Sequence, residues 1–404
     1  MKNKNFWKGF LGGILAILTI LLCTILVTEW TGCVQWERIL GTKQNGVISA
    51  DVEKKLEQIQ TYINAYYMGE ADTDAAGDAA SKGLVGSLKD DYAAYYSKDE
   101  YRSVLEKTEG NFCGIGAYVS QNATTGAITI VQPMKNSPAK KAGIKAGDVI
   151  CKVDEESVAN MDLTTVTSKM KGEPGTTVEI EVARKGIKEN LTFQIVRQKI
   201  ETDTVAYKML DDSIGYIAVS EFDEVTPTQF KKALNHLEEK GEKSLIIDLR
   251  DNGGGLLKAA IDMLNRMLPK GVVVYTQDKD GKKEYYYSDN KESFNKPVVI
   301  LVNENTASAS EVFSGAMQDY EKAVLIGTKT FGKGIVQSVF NLYDGSAVKF
   351  TTSKYYTPKG RNIHGTGLEP DQEAELTDRT YKQKGSGLTL DSQVETAVEY
   401  LKDK

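Results

Sequence analysis

Three short segments of this sequence carry residue types that could do covalent chemistry at their spacing. The first is Glu304-Asn-Thr-Ala-Ser-Ala-Ser-Glu-Val312. A serine between a buried strand and a helix opening near Glu311 stands exposed at the strand end, where the helix amino terminus favours developing negative charge. The same residues also read as a capping box, with Ser308 as the cap and Glu311 reciprocating, and taken alone the segment favours that cap. The second is Gly327-Thr-Lys-Thr-Phe-Gly-Lys-Gly-Ile-Val-Gln337. Gly332 and Gly334 flank Lys333 and weaken a strand, which suits close approach by another backbone or a substrate. If Lys333 opens a strand over 334–342, Gln337 shares its face and can orient its amine. The alternative is an ordinary solvated lysine. The third is Asp248-Leu-Arg-Asp-Asn-Gly-Gly-Gly255, at the carboxyl end of an apolar strand. Its glycines can leave N–H groups pointing outward to stabilise an oxyanion, or they serve packing alone in a strand-to-helix turn.

A serine nucleophile needs a base. The chain has only 2 histidines: His236 in a polar helical stretch and His364 in a loop, neither in a triad motif. A lysine can replace histidine if burial lowers its pKa until the amine is neutral, giving a serine–lysine dyad.

The elements that must position these residues are legible as patterns. Ser244–Leu249 and Pro297–Val302 are nearly continuous apolar runs, as expected of strands buried on both faces. Each precedes a small-residue turn and helical spacing, such as Leu256, Ala260, Met263, Leu264 and Met267, so residues 198–375 read as an α/β domain. A more β-rich part runs from Val324 to Tyr356. Residues 108–197 are richer in glycine and alternate as strands do over Ile128–Val131 and Val178–Val182. Residues 36–107 read as helices, including one with Val52, Leu56, Ile59, Ile63 and Tyr66 at helical intervals, and show no chemistry. Residues 376–404 end in a helix over Ser392–Lys402.

The first 35 residues differ. Gly9 to Thr28 carry no charge, and Phe10–Val27 is an apolar run of 18 residues, close to the roughly 17–20 needed to span a bilayer. Lys2, Lys4 and Lys8 precede it, while Glu29 and Glu37 follow. That asymmetry puts the amino terminus in the cytoplasm and the bulk of the chain outside. A cleaved signal peptide lacks its Ala-x-Ala-like site, and a lipoprotein site at Gly32-Cys33 has a poor context in Trp30 and Thr31.

The 404 residues suit two or three domains beyond this anchor, with 41% hydrophobic and 26% charged residues. A net charge of −6 implies no basic face and argues against nucleic acid as a partner. The 4 cysteines are too few and scattered for a disulfide scaffold or zinc site. Cys33, Cys113 and Cys151 read as free thiols, with a Cys113–Cys151 bridge as the alternative.

Two resemblances follow from these motifs. Asn136-Ser-Pro-Ala-Lys-Lys-Ala-Gly-Ile-Lys-Ala-Gly-Asp-Val-Ile150 resembles the PDZ domain of bacterial proteases, and Gly114-Ile-Gly-Ala117 matches the loop that receives a peptide's carboxyl terminus. Adjacent N–H groups in such a turn can cradle a carboxylate. The ordered set of helical region, PDZ, Asp248–Gly255, Ala307-Ser-Ala-Ser-Glu311, Gly332-Lys-Gly-Ile-Val-Gln337 and Gly367-Leu-Glu-Pro-Asp371 resembles the carboxyl-terminal processing, or tail-specific, peptidases. That resemblance implies a crotonase-like strand–helix core, Ser308 as nucleophile, Lys333 as base and Gln337 as its orienter. It also implies an oxyanion hole from the N–H groups of Gly254 and Ala309. The 25-residue step from Ser308 to Lys333 fits the family, whereas Ser310 would give 23. Gly253 stands where the family often has proline. No cofactor and no metal are implied. Substrates would be proteins with unstructured tails, delivered or gated by the PDZ domain. Relatives form dimers through terminal helices, and the segments starting at Val52 and Ser392 could do the same.

Two rivals remain. Ser137-Pro-Ala-Lys140, Ser288-Asp-Asn290 and Lys329-Thr-Phe331 imitate the penicillin-recognising motifs, but Phe331 breaks the third. A catalytically silent tail-binding protein is the other, and the joint presence of Ser308, Lys333 and Gln337 argues against it.

Overall fold

A computed structural model describes residues 47–289, 294–377, 380–382 and 389–404. The expected anchor over residues 9–28 lies outside them, as do Cys23 and Cys33. Among the described residues no helix is long and apolar enough to cross a membrane.

The helix Ala50–Tyr66 starts at Ser49, whose hydroxyl accepts from the Val52 N–H. Its apolar stripe of Val52, Leu56, Ile59 and Ile63 is exposed along its length. A second helix runs over Thr73–Gly86 and a third over Lys98–Glu109. The third is bounded by a Ser97/Glu100 capping box and by Gly110 in the left-handed conformation. The region is not wholly helical, however. Ala94–Tyr96 forms a strand that pairs antiparallel with Ala347–Tyr356, far along the chain. Three residues between two helices carry too short a pattern to announce a strand.

Residues 111–201 form a compact β unit. Asn111–Gly114 pairs antiparallel with Gln198–Glu201, so the chain enters and leaves the unit through one two-stranded stem. Between them a sheet runs in the order Ala117–Gln121, Ile128–Pro133, Val149–Val153, Thr177–Ala183, Leu191–Val196. The strands Ile128–Pro133 and Thr177–Ala183 alternate buried and less buried residues at their centres. Ile128, Ile130, Val178, Ile180 and Val182 thereby join one core with Val166 and Met170 of the helix Leu163–Met170. Ala117–Gln121 is an edge strand, bonded to Ile128–Pro133 alone. Cys113 and Cys151 are both free thiols, so the bridge is not formed.

The part that follows is built on a six-stranded sheet ordered Val205–Met209, Ile214–Val219, Ser244–Asp248, Val298–Val302, Val324–Gly327, Gln372–Glu373. The first pair is antiparallel and the rest are parallel. Its two central strands are buried at every position. Leu245, Ile247, Ile300 and Val302 face the helices Thr226–Glu239, Leu257–Met267 and Ala309–Asp319. Ile246, Val299, Leu301 and Ile326 face Val394, Ala397, Val398 and Leu401 of the helix Ser392–Lys402. Burial on both faces explains the unbroken apolar runs, each fully buried side chain contributing about 1.5–3 kcal/mol. It also corrects one expectation. The apolar face of Ser392–Lys402 is spent on its own chain and is not free for a partner.

A second, antiparallel sheet carries Lys283–Ser288, Gly271–Asp278, Ala347–Tyr356, Ala94–Tyr96 and Ile335–Asn341, the last paired to Ala347–Tyr356. It brings the segment after Lys333 against the end of the parallel sheet.

Candidate active site

Ser308 lies five turn residues beyond Val298–Val302 and directly before the helix Ala309–Asp319. Its φ of 56° and ψ of −117° lie outside the ordinary wells of a non-glycine residue. Such a conformation costs about 1–3 kcal/mol and persists only where neighbours enforce it. The neighbours are visible. The Thr306 hydroxyl donates to the Leu249 carbonyl at 2.8 Å, and the Ala307 N–H donates to the Asn252 carbonyl at 3.0 Å. The turn after one central strand is thus locked onto the turn after the other. Ser308 and Glu311 sit in capping-box relation, yet the Ser308 hydroxyl makes no cap bond. Ser310 is different: fully buried, it donates from Oγ to the Asn252 carbonyl at 3.0 Å. Of the two serines, only Ser308 reaches solvent-accessible space.

The Glu311 carboxylate, fully buried, does more than cap. Oε2 accepts from the N–H groups of Ser308 at 2.9 Å and Lys333 at 2.8 Å. Oε1 accepts from Gly332 N–H at 2.8 Å and Thr330 Oγ1 at 2.5 Å. One anion therefore joins the serine turn to the lysine loop. The Tyr355 hydroxyl does the same from the opposite side, lying 3.0 Å from the Ser308 carbonyl and in contact with the Lys333 carbonyl. Burial, then the Glu311 charge, pushes the Tyr355 phenol well up, so it remains a donor.

Lys333 is half-buried and precedes the strand Ile335–Asn341. Burial and, next, the Lys349 charge push its amine below an ordinary lysine, with Asp90 opposing. A lowered pKa enlarges the neutral, proton-accepting fraction at neutral pH. The flanking glycines are needed for backbone approach. A Cβ on Gly334 would stand 2.5 Å from the His364 nitrogen, and one on Gly332 2.8 Å from the Gly367 nitrogen.

Two expected contacts are not made. The strand begins at Ile335, so Lys333 lies outside the alternation that was to put it on one face with Gln337; the register shift at Val336 and Gln337 skips Thr352 on the partner strand. Gln337 Nε2 is buried with no partner among the described residues, while Lys333 Nζ lies 4.2 Å from the centroid of the Tyr92 ring. The Gly254 N–H, an expected oxyanion donor, is taken by Asn252 Oδ1 at 2.9 Å. Ala309 opens the helix beside it: a Cβ on Gly254 would stand 2.9 Å from the Ala309 nitrogen. Gly253 has open space where a side chain would go.

A cavity of about 310 Å³ beside Ser308 is lined by Leu256, Leu257, Val312, Ile335, Val336 and Gln337 among others, with polar groups from Lys258 and Tyr355 in the same wall. A larger one, about 660 Å³, lies over Asp248, Arg250, Asp391 and Gln393. It holds an ion-pair network: Arg250 donates to Asp248 at 2.6 Å, to Asp391 at 3.0 Å and to Gln393 at 2.8 Å.

In the β unit, Gly114, Ile115 and Gly116 are buried, and Ala117 begins the edge strand. Gly116 has φ +73°, and a Cβ there would stand 2.6 Å from both Ile200 and Ser137. Gln121 ties the far end of the edge strand to the Leu163–Met170 helix, donating to the Met161 carbonyl at 2.8 Å and accepting from the Leu163 N–H at 3.2 Å.

Residues 213–374 match peptidase family S41, and residues 113–195 match a PDZ domain. The chain is 37% identical over 377 residues to a probable CtpA-like serine protease of Staphylococcus saprophyticus, covering 93% of this chain and 75% of that protein. It is 36% identical over 387 residues to the carboxy-terminal processing protease CtpA of Bacillus subtilis, covering 93% and 82%. The chain belongs to peptidase family S41. It is a PDZ-bearing, mixed α/β serine peptidase of the carboxy-terminal processing kind. Among solved structures, the photosystem II D1 C-terminal processing protease aligns at 30% identity and TM-score 0.47, covering 79% of this chain and 86% of that one.

The remaining candidates in the peptidase find ordinary places. Ser137 caps the Pro138–Ala142 helix, accepting from the Lys140 N–H, and Ser288 donates to the Leu268 carbonyl. His236 packs on Tyr207, and His364 lends its backbone to Gly334. Sequence reasoning missed Glu311 as a clamp, Asn252 as a hub, Tyr355 and Tyr92. Glu311 was signalled by its capping-box position; Tyr92 and Tyr355 lie in no motif.

Proposed function

We propose that this peptidase uses Ser308 as nucleophile and Lys333 as general base. The observation that carries the proposal is the Glu311 carboxylate, which accepts from the backbone of both residues and fixes their loops together. The Ser308 oxygen attacks the scissile carbonyl as its proton passes to the neutral Lys333 amine. Lys333 then gives that proton to the leaving amine, and water, deprotonated by Lys333, releases the acyl group from Ser308. The Ala309 N–H faces the oxyanion, and Gly254 joins it once Asn252 lets go of its N–H. Gln337 orients Lys333 after the amine leaves Tyr92. The cavity beside Ser308 takes a side chain of the substrate, with Leu256, Val312 and Ile335 on its apolar side.

The substrate is a protein with an unstructured tail. Its terminal carboxylate enters the turn Gly114, Ile115, Gly116, Ala117, and its backbone adds to the edge strand Ala117–Gln121. The PDZ domain so delivers the tail and gates the activity. Residues 9–28 anchor the chain in the cell membrane, with residues 1–35 as cytoplasmic stub and anchor and the rest outside. The working division beyond them is 36–107, PDZ 108–197, peptidase core 198–375 and tail 376–404. The exposed stripe of Ala50–Tyr66 supports a homodimer through that helix.

The test compares a protein carrying an apolar unstructured tail with the same protein amidated at its terminus. Faster trimming of the free carboxylate by the full chain, absent in Ser308→Ala, is expected. Equal trimming of both substrates would sink the role given to the PDZ turn.

A further inference from the structure

We propose that Tyr92 is a positioning residue for the general base, a holding station whose ring face receives the protonated Lys333 amine between turnovers. The proposal rests on Lys333 being the base. Lys333 Nζ stands 4.2 Å from the Tyr92 ring centroid, within range of a cation–π contact, while the buried amide of its expected orienter, Gln337 Nε2, has no partner among the described residues. The lysine therefore rests on the tyrosine and not on its expected orienter.

Tyr92 is held in place by its own turn. The Tyr92 N–H donates to Asp90 Oδ1 at 3.0 Å. The Asp90 carboxylate accepts from the Thr351 N–H at 2.8 Å and its hydroxyl at 3.2 Å. Ala94–Tyr96 then continues onto the same Ala347–Tyr356 strand. That strand also carries Tyr355, and its Thr351 is in register with Gln337. A segment ahead of the PDZ domain is thus built into the wall of the site and touches the catalytic amine.

The ring attracts the ammonium form and not the neutral amine. Turnover requires the neutral amine at Ser308, so Tyr92 favours the resting state and releases Lys333 on deprotonation. The other charged and titratable groups around this amine are Lys349 and Tyr355 on the Ala347–Tyr356 strand, Asp90 on the turn, and Glu311 on the nucleophile helix. None of them is altered by changing Tyr92.

The test is the pH profile of kcat/KM for tail cleavage by the full chain in detergent. Tyr92→Phe keeps the ring face and is expected to match wild type. Tyr92→Leu keeps apolar bulk without the ring, and its acid limb moves to lower pH, giving about a threefold higher kcat/KM at a fixed pH on that limb. Tyr92→Trp, with the strongest ring face, moves it the other way and serves if the leucine variant fails to fold. Unshifted limbs in Leu and Trp, or equal losses at every pH, would overturn the role of Tyr92. Those outcomes are distinct from failure of the dyad, which shows as full activity in Lys333→Ala.

Discussion

The PDZ unit and the catalytic site solve the placement of function in opposite ways. The PDZ turn, its edge strand and the helix beside it come from one contiguous stretch, closed by the stem Asn111–Gly114 with Gln198–Glu201. The groove is complete in local structure, with Gly116 as the tight point. The proposed catalytic site draws on four separated segments: the Tyr92 turn, Asn252–Gly255, Thr306–Glu311 and Thr330–Lys333. The last two are joined by a buried carboxylate and a buried phenol, Asn252 accepts from Ala307 and Ser310, and the Tyr92 turn is held by Asp90 on Thr351. Local recognition can be fully formed at rest. In the proposed site, assembled from distant turns, the Gly254 N–H is taken by Asn252, Gln337 Nε2 has no partner among the described residues and the Lys333 amine lies over the Tyr92 ring.

The contrast is broken most strongly at Glu311. Glu311→Gln turns one acceptor oxygen into a donor facing donors, and should cost about 2–4 kcal/mol of stability by chemical denaturation. Tail cleavage should fall about 100-fold through misplacement of the serine and lysine loops, with tail-peptide binding to the PDZ unit unchanged. A variant with wild-type turnover would show that the clamp is dispensable.

Gly116→Val makes the converse cut. Its side chain meets Ile200 and Ser137 at a left-handed φ, so a loss of about 1–3 kcal/mol and of tail-peptide binding is expected, read by calorimetry. Undiminished binding would remove this turn from recognition.

The pH profile sharpens the catalytic half. Because the Lys333 amine is pushed down by burial, kcat/KM should rise with pH along a limb centred below the 10.5 of a free lysine, and fall as acid protonates it. A limb at the free-lysine value would mean an amine that is not desolvated. The smallest effect is expected at the neighbouring serine: Ser310→Ala removes one buried hydrogen bond to Asn252, about 1 kcal/mol in a melt, and leaves cleavage intact.

The sequence reading recovered elements whose patterns are local. Ser244–Asp248, Val298–Val302 and Ser392–Lys402 lie where apolar runs and helical spacing put them. Choosing Ser308 over Ser310 depended on a step of 25 residues, and the physical difference between them is burial of Ser310 against Asn252. What escaped is long-range. The strand Ala94–Tyr96 exists only because Ala347–Tyr356 is there to receive it. The free face of Ser392–Lys402 vanished against the second side of the sheet. The strand that holds Gln337 begins at Ile335 and leaves Lys333 outside the alternation that was to bring the two together. The glycines at 332 and 334 were read as signs of close approach, and the approaching backbone is the 363–367 loop.

The most direct test of the Ser308–Lys333 pair is intact-mass analysis of a tailed protein incubated with wild type, Ser308→Ala, Ser310→Ala and Lys333→Ala. Loss of tail mass with wild type and Ser310→Ala, and none with the other two, is the predicted result. Trimming that survives either Ser308→Ala or Lys333→Ala would contradict the account.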